Sequence, residues 1–205
     1  MFEKVISQKA QGALAILSKQ KFIQNFYLAG GTGLALHMGH RVSVDLDFFC
    51  SEEFSTKPII AQLKKTGNFS LQKEDWGTIN GLLNDVKIDL LYYSSRLIKP
   101  ASEFKEVRVA DIIDIALMKL VTVGSRGSKK DFIDLYFIVQ KIISLEELFA
   151  LLPKKFVGIN YEPYHLILGL QYFRDADENP MPKMFEPIKW LSVKRFFEKE
   201  AKKLV

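Results

Sequence analysis

The stretch that most constrains the fold is Leu28 to Phe49, LAGGTGLALHMGHRVSVDLDFF, where one backbone period gives way to another. From Ser43 the period is two, with Val44, Leu46 and Phe48 on one side of a strand and Ser43, Asp45 and Asp47 on the other. Just ahead, Phe26 to Ala29 reads as a short buried strand and Gly30-Gly31 as a tight turn. Thr32 reads as the N-cap of a short helix ending near Gly39. Neither a glycine pair nor two aspartates on one strand face is what a stable core asks for, so both point to a site.

The rest of the chain places this stretch in a larger plan. Residues 3 to 20 set Val5, Ile6, Ala10, Ala13, Leu14 and Leu17 at helical spacing, and a second helix is expected around Pro58 to Lys65. The segment FSLQKEDWGTINGLLNDVKIDLLYY reads as strands, with turn signals at either Asn80-Gly81 or Asn84-Asp85. Its last strand, Val86 to Tyr93, sets Ile88, Leu90 and Tyr92 against Lys87, Asp89 and Leu91, which makes Asp89 a third carboxylate in an apolar strand.

Beyond Pro100 the pattern becomes helical. Asp111 to Val123 is nearly all apolar, Lys130 to Ile143 carries Phe132, Leu135, Tyr136 and Val139 on one stripe, and the basic turn Gly124 to Lys130 lies between them. The C-terminal third is also expected to be helical, with Trp190, Val193, Phe197, Ala201 and Leu204 at helical spacing. The fold class is therefore α+β: a mixed module over residues 1–100 and a helical module over residues 101–205.

Composition bounds the function only loosely. The 205 residues, 48% hydrophobic and 26% charged, can bury a core, and a net charge of +5 permits a polyanionic partner without demanding one. The single cysteine, Cys50, rules out an internal disulfide and reads as a buried thiol. The first twenty residues are too broken by charge and glutamine for a signal peptide, and no apolar run approaches about 18 residues, so no membrane partner and a cytoplasmic location are expected.

The polar residues carry the chemistry. Residues two apart on a strand are separated by ~6.5 Å, so Asp45 and Asp47 either point into solvent from a one-sided sheet or converge on a divalent cation that relieves their repulsion. Gly30, Gly31 and Thr32 at the mouth of a helix supply backbone N–H groups and a positive dipole end for a phosphate. With Asp89, they make an anion cradle and three carboxylates, the parts that metal-assisted phosphoryl or nucleotidyl transfer needs.

Arg41 and Ser43 flank the aspartates and either touch phosphate or make structural hydrogen bonds. Lys119 lies in a helix so apolar that its ammonium either snorkels to the edge or needs an anionic partner, a nucleotide phosphate or Asp131. His37 and His40 lack a third nitrogen or sulfur ligand nearby and read as helix surface and helix end. The basic runs near Arg126 and Lys194 to Lys203 are either solvated faces or a track for an RNA backbone.

Gly31-Thr32, twelve residues, then Asp45-Leu46-Asp47 and a later strand bearing Asp89 resemble the minimal nucleotidyltransferase fold of the polymerase beta superfamily. More narrowly, GGTGLALHMGHRVSVDLDFF is similar to the AbiEii/AbiGii nucleotidyltransferase toxins. So are Ala116-Leu117-Met118-Lys119-Leu120 with Lys130-Asp131-Phe132-Ile133-Asp134, and Tyr172 to Asp177 with Trp190 to Glu200. The usual Gly-Ser of the superfamily is Gly-Thr here, which keeps the hydroxyl.

The resemblance implies that Asp45 and Asp47 hold Mg²⁺. It implies that Asp89 completes the metal site or takes the proton of the attacking hydroxyl, and that Lys119 and Asp131 belong to the active site. Asp134 reads as a solvated or capping carboxylate. The implied activity moves a nucleoside monophosphate from an NTP to an acceptor hydroxyl, on RNA (tRNA first) or on protein, as the toxin of a type IV toxin–antitoxin or abortive-infection pair with its own antitoxin. The rivals are a catalytically idle RNA- or protein-binding module on the same fold and an aminoglycoside-type small-molecule nucleotidyltransferase.

Overall fold

The structure, a computed structural model, describes residues 1–159 and 161–204. It divides into two units, Met1–Asp111 and Ile112–Val205. Among the described residues no helix is long and apolar enough to cross a membrane.

The first unit is built on strands β1 (Tyr27–Leu28), β2 (Leu46–Cys50), β3 (Phe69–Asp75), β4 (Thr78–Leu83), β5 (Val86–Tyr92), β6 (Ser102–Phe104) and β7 (Val107–Val109), with helices α1 (Gln8–Leu17), α2 (Gly30–Met38) and α3 (Thr56–Thr66). The strands form one mixed sheet in the order β3-β4-β5-β2-β1-β7-β6. β2 runs parallel to β5 and antiparallel to β1. The β2–β5 register sets Leu46 beside Ile88, Asp47 beside Asp89 and Phe48 beside Leu90. Alternation then turns Leu46, Phe48, Ile88 and Leu90 into the core with Leu14, Leu17 and Leu63, and turns Asp47 and Asp89 to the opposite face.

Several local expectations are corrected. β2 begins at Leu46 rather than Ser43, and Val44 is 58% exposed because residues 42–45 have no strand partner. α1 starts at Gln8, capped by Ser7 Oγ accepting from the Ala10 N–H, and Val5 and Ile6 are buried from the turn before it. Asn84-Asp85 is the turn between β4 and β5, with both residues left-handed at φ 50° and 64°, which suits the right-handed twist of the strands. Asn80-Gly81 lies inside β4, where a Cβ on Gly81 would strike the Phe69 ring and the Ser70 carbonyl.

Beyond Pro100 the chain forms another hairpin before turning helical. Lys105 and Glu106, at φ 50° and 62°, join β6 to β7, and the Lys105 ammonium is held by Glu3 and Gln11. His37 is not a free surface residue, since its Nε2–H donates to the Ala110 carbonyl at 2.8 Å, and His40 is fully buried. Cys50 is buried on the core side of β2, and that burial raises its thiol pKa.

The second unit is helical: α4 (Ile112–Arg126), α5 (Lys129–Lys141), α6 (Leu145–Lys155), α7 (Pro163–Gly169), α8 (Arg174–Glu178) and α9 (Trp190–Ala201). Ser128 with Asp131 and Ser144 with Glu147 form capping boxes that open α5 and α6. Phe132 of α5 anchors the core, its ring meeting Phe173, Trp190 and Phe197 at centroid separations of 5.1, 5.8 and 5.6 Å. α4 and α7 approach so closely that a Cβ on Gly169 would lie 2.5 Å from the Gly124 Cα. Residues 179–189 run without helix, and α9 ends before Leu204, so the C-terminal third is less continuously helical than its spacing suggests.

Candidate active site

β1 runs directly into α2, and Gly30 makes the corner. Its φ of +58° is a left-handed conformation that an L side chain avoids, and a Cβ there would run into the Asp47 carboxylate. The Ala29 N–H donates to the Asp47 carbonyl at 3.0 Å, which fixes the β2 backbone beside the start of the helix. The helix begins at Gly30, so both glycines lie in its first turn and Thr32 is its third residue rather than its cap. The first N–H groups of a helix have no partner within it, and the dipole is positive there.

Arg41 adds a full charge at the same turn. Buried at 3% exposure, it lies over Gly31 so closely that a Cβ on Gly31 would overlap the guanidinium and come within 3.2 Å of Ser43 Oγ. Its Nη1 also donates to the Val42 carbonyl at 3.0 Å. Thr32, fully buried, donates its one hydroxyl proton to the Asp45 carbonyl and accepts from Ser43 Oγ at 2.9 Å. Those two side chains thus tie the segment carrying Asp45 to α2, and the hydroxyl of Thr32 is spent on that task.

Asp45 and Asp47, both half-buried, stand two residues apart, and Asp89 is the cross-strand neighbour of Asp47. Asp89 has both oxygens engaged: Asn80 Nδ2 donates to Oδ1 at 2.8 Å and Lys87 Nζ lies 3.1 Å from Oδ2. Burial pulls the Lys87 ammonium down, but the bond and charge of Asp89, with the charges of Asp45 and Asp47, more than offset it and raise its pKa. The ion pair with Asp89 therefore places a resident cation on this strand face. Spacing alone singled out neither Asn80, which carried a turn signal, nor Lys87, although Lys87 shares the strand parity of Asp89.

Among the described residues no three His, Cys, Asp or Glu side chains are gathered to hold a metal ion by themselves. Mg²⁺ does not require that. It commonly takes one or two carboxylates and completes its shell with water and substrate phosphate, and the hard oxygens of Asp47, against an anion-attracting helix end and with Asp45 two residues before it, fit such an ion.

The second unit contains its own buried charge cluster. Lys119 of α4 lies 2.6 Å from Asp131 Oδ1 and 2.8 Å from Asp134 Oδ2, both on α5, so the lysine is bridged rather than snorkelling. Asp134, expected to be solvated or capping, is fully buried in this pair. Asp131 also accepts from the Ser128 N–H and Oγ, which links helix capping to the ion pair. Burial pushes the Asp131 carboxyl up, but Lys119 and Ser128 outweigh it and leave the pKa below its ordinary value. Sequence reasoning missed a second pair altogether: Lys155 and Asp114, both fully buried, meet at 2.7 Å.

Known proteins supply the context for this geometry. The family described as "Nucleotidyl transferase AbiEii toxin, Type IV TA system" matches residues 12–203. An uncharacterised protein of Aquifex aeolicus (strain VF5) is 35% identical over 185 residues, covering 87% of each chain. In solved structures the fold is similar to that of JHP933 from Helicobacter pylori, at a TM-score of 0.56 and 19% identity, covering 97% of this chain and 94% of that one. It is also similar to that of the nucleotidyltransferase toxin MenT4 of Mycobacterium tuberculosis H37Rv, at 0.55 and 14%, covering 97% and 87%. A match over nearly the whole length, with a relative sharing a third of its aligned residues, defines a family as well as a fold: the chain belongs to the AbiEii nucleotidyltransferase toxins of type IV toxin–antitoxin systems.

Proposed function

We propose that this nucleotidyltransferase moves a nucleoside monophosphate from an NTP to an acceptor hydroxyl on RNA, with tRNA the first candidate. The observation that carries the reading is the contact of the Asp47 carboxylate with Gly30 at the mouth of α2. It sets the Asp47 carboxylate, with Asp89 across the strand, beside backbone N–H groups and the Arg41 guanidinium, an arrangement that would attract a cation and a polyphosphate to adjoining positions.

The roles follow from the side chains. The first-turn N–H groups of Gly30, Gly31 and Thr32 bind phosphate oxygens, and Arg41 neutralises their charge while Ser43 and Thr32 hold the Asp45 segment in place. Mg²⁺ held by Asp45 and Asp47 would neutralise charge developing on the triphosphate. The acceptor oxygen bonds to the α-phosphorus, the bond from that phosphorus to the bridging oxygen breaks, and pyrophosphate leaves. Asp89 keeps lone pairs beyond those used by Lys87 and Asn80, and serves as a third carboxylate for the cation or as acceptor of the hydroxyl proton. Lys119 and Asp131 are assigned catalytic roles on the family resemblance, and the helical module that carries them is assigned to completing the activity. A cognate antitoxin is the expected protein partner, and the net charge of +5 favours RNA over a polycationic acceptor.

The test incubates the purified chain with each α-labelled NTP, Mg²⁺ and either total RNA or cell protein. Label in RNA, lost with Asp47→Ala and Lys119→Ala, supports the reading. Label in protein moves the acceptor, and label that survives both substitutions overturns the site assignment.

A further inference from the structure

Lys87 has no role in the reaction just described, yet its ammonium sits on Asp89, the strand neighbour of Asp47. It lies 3.1 Å from Asp89 Oδ2, and the parallel register sets Asp89 beside Asp47. Asp47 and Asp89 are cross-strand neighbours whose carboxylates repel one another, and the resident positive charge on Asp89 offsets that repulsion. The Lys87 side chain is 45% exposed while that of Asp89 is 11% exposed, so the lysine can swing into solvent and the aspartate cannot.

We propose that Lys87 is a built-in counter-ion, a positioning residue that holds the carboxylate face of β2 and β5 ready in the metal-free protein and competes with the divalent cation for it. The inference rests on the reading of Asp45 and Asp47 as the cation site. Cation binding displaces the ammonium, so apparent metal affinity is weaker than the carboxylates alone would give. The lysine thereby favours occupation by metal together with polyphosphate, whose oxygens offer the displaced ammonium a new partner, over occupation by metal alone.

The test titrates Mn²⁺, without nucleotide, into the wild type, Lys87→Met, Lys87→Arg and Asp47→Asn, following bound metal by paramagnetic resonance, and records melting with and without Mn²⁺. Lys87→Met should bind Mn²⁺ about tenfold more tightly, because a like charge is removed from the site, while Lys87→Arg stays near the wild type. In the metal-free state Lys87→Met should melt below the wild type, and Mn²⁺ should restore it. A Lys87→Met protein that binds Mn²⁺ no tighter, or more weakly, overturns the proposal, since mere damage to the fold does not raise affinity. Labelled transfer by the wild type with no tightening in Lys87→Met sinks the counter-ion alone. Tightening without any transfer leaves the counter-ion standing and sinks the enzymatic reading. Absence of Mn²⁺ binding in all four proteins sinks both.

Discussion

Alanine at Gly30 strains the backbone and displaces a proposed metal ligand at once. The φ of +58° puts an L residue in the left-handed region, which costs about 1–2 kcal/mol. The added Cβ would also overlap Asp47 Oδ2, and restoring ordinary van der Waals contact requires the carboxylate to retreat by about 1 Å. Because the Asp47 carbonyl is tied to the Ala29 N–H at 3.0 Å, the side chain has to rotate away rather than the strand shift. A misplacement of about 1 Å at a reacting centre lowers the rate by about 100-fold. The strain itself should lower the melting temperature by about 2–8 °C in a chain of this size. Melting curves and labelled NMP transfer to RNA read the two effects separately. Gly12→Ala is the control, because nothing lies within 4 Å of its Cβ and alanine should stabilise helix α1 by roughly 0.5–1 kcal/mol. A Gly30→Ala protein that melts and transfers like the wild type would refute the argument.

Further outcomes follow from the second unit. The folded pKa of Asp131 is depressed, so its stabilising contribution is full above the unfolded value of about 3.9 and is lost as pH falls through the lower folded value. Melting temperature plotted from pH 6 to pH 2 should show that acid limb, and Asp131→Asn should flatten it. Lys155→Ala leaves Asp114 buried without its ammonium and should cost about 3–5 kcal/mol in urea unfolding, whereas Lys155→Met with Asp114→Leu should recover most of the loss. Gly169→Ala pushes α7 off the Gly124 backbone and should destabilise by about 1–3 kcal/mol, read as a lower urea midpoint.

What was legible in the sequence follows from the range of the forces involved. The period of two around Asp47 and around Asp89 is local, and β2 and β5 form there, although β2 starts only at Leu46 and leaves Asp45 in the segment before it. Which strands become neighbours is decided by long-range packing, so the Asp47–Asp89 register has no local signature. Asn80-Gly81 carries a strong local turn signal, but Phe69 packing across Gly81 and the Asn80–Asp89 bond override it. Lys105-Glu106 makes a hairpin with none of the usual turn residues, so the strands beyond Pro100 left no signature. Asp131 and Asp134 were on one helical face by spacing, yet only the packing of α4 on α5 shows that Lys119 lies between them. Lys155 stands in the last turn of α6, and its burial against Asp114 depends on α4, a helix far away in sequence.

In the proposed reaction the glycine-led turn of α2 and the Asp45–Asp47 pair serve one ligand, a triphosphate with its cation. Calorimetric titration of a nonhydrolysable NTP, with and without Mg²⁺, into the wild type and the Asp45→Asn/Asp47→Asn double variant tests it most directly. Mg²⁺ should tighten binding to the wild type by at least about tenfold, with the gain vanishing in the double variant while weaker metal-free binding persists. A double variant that keeps the full Mg²⁺ dependence would contradict the account.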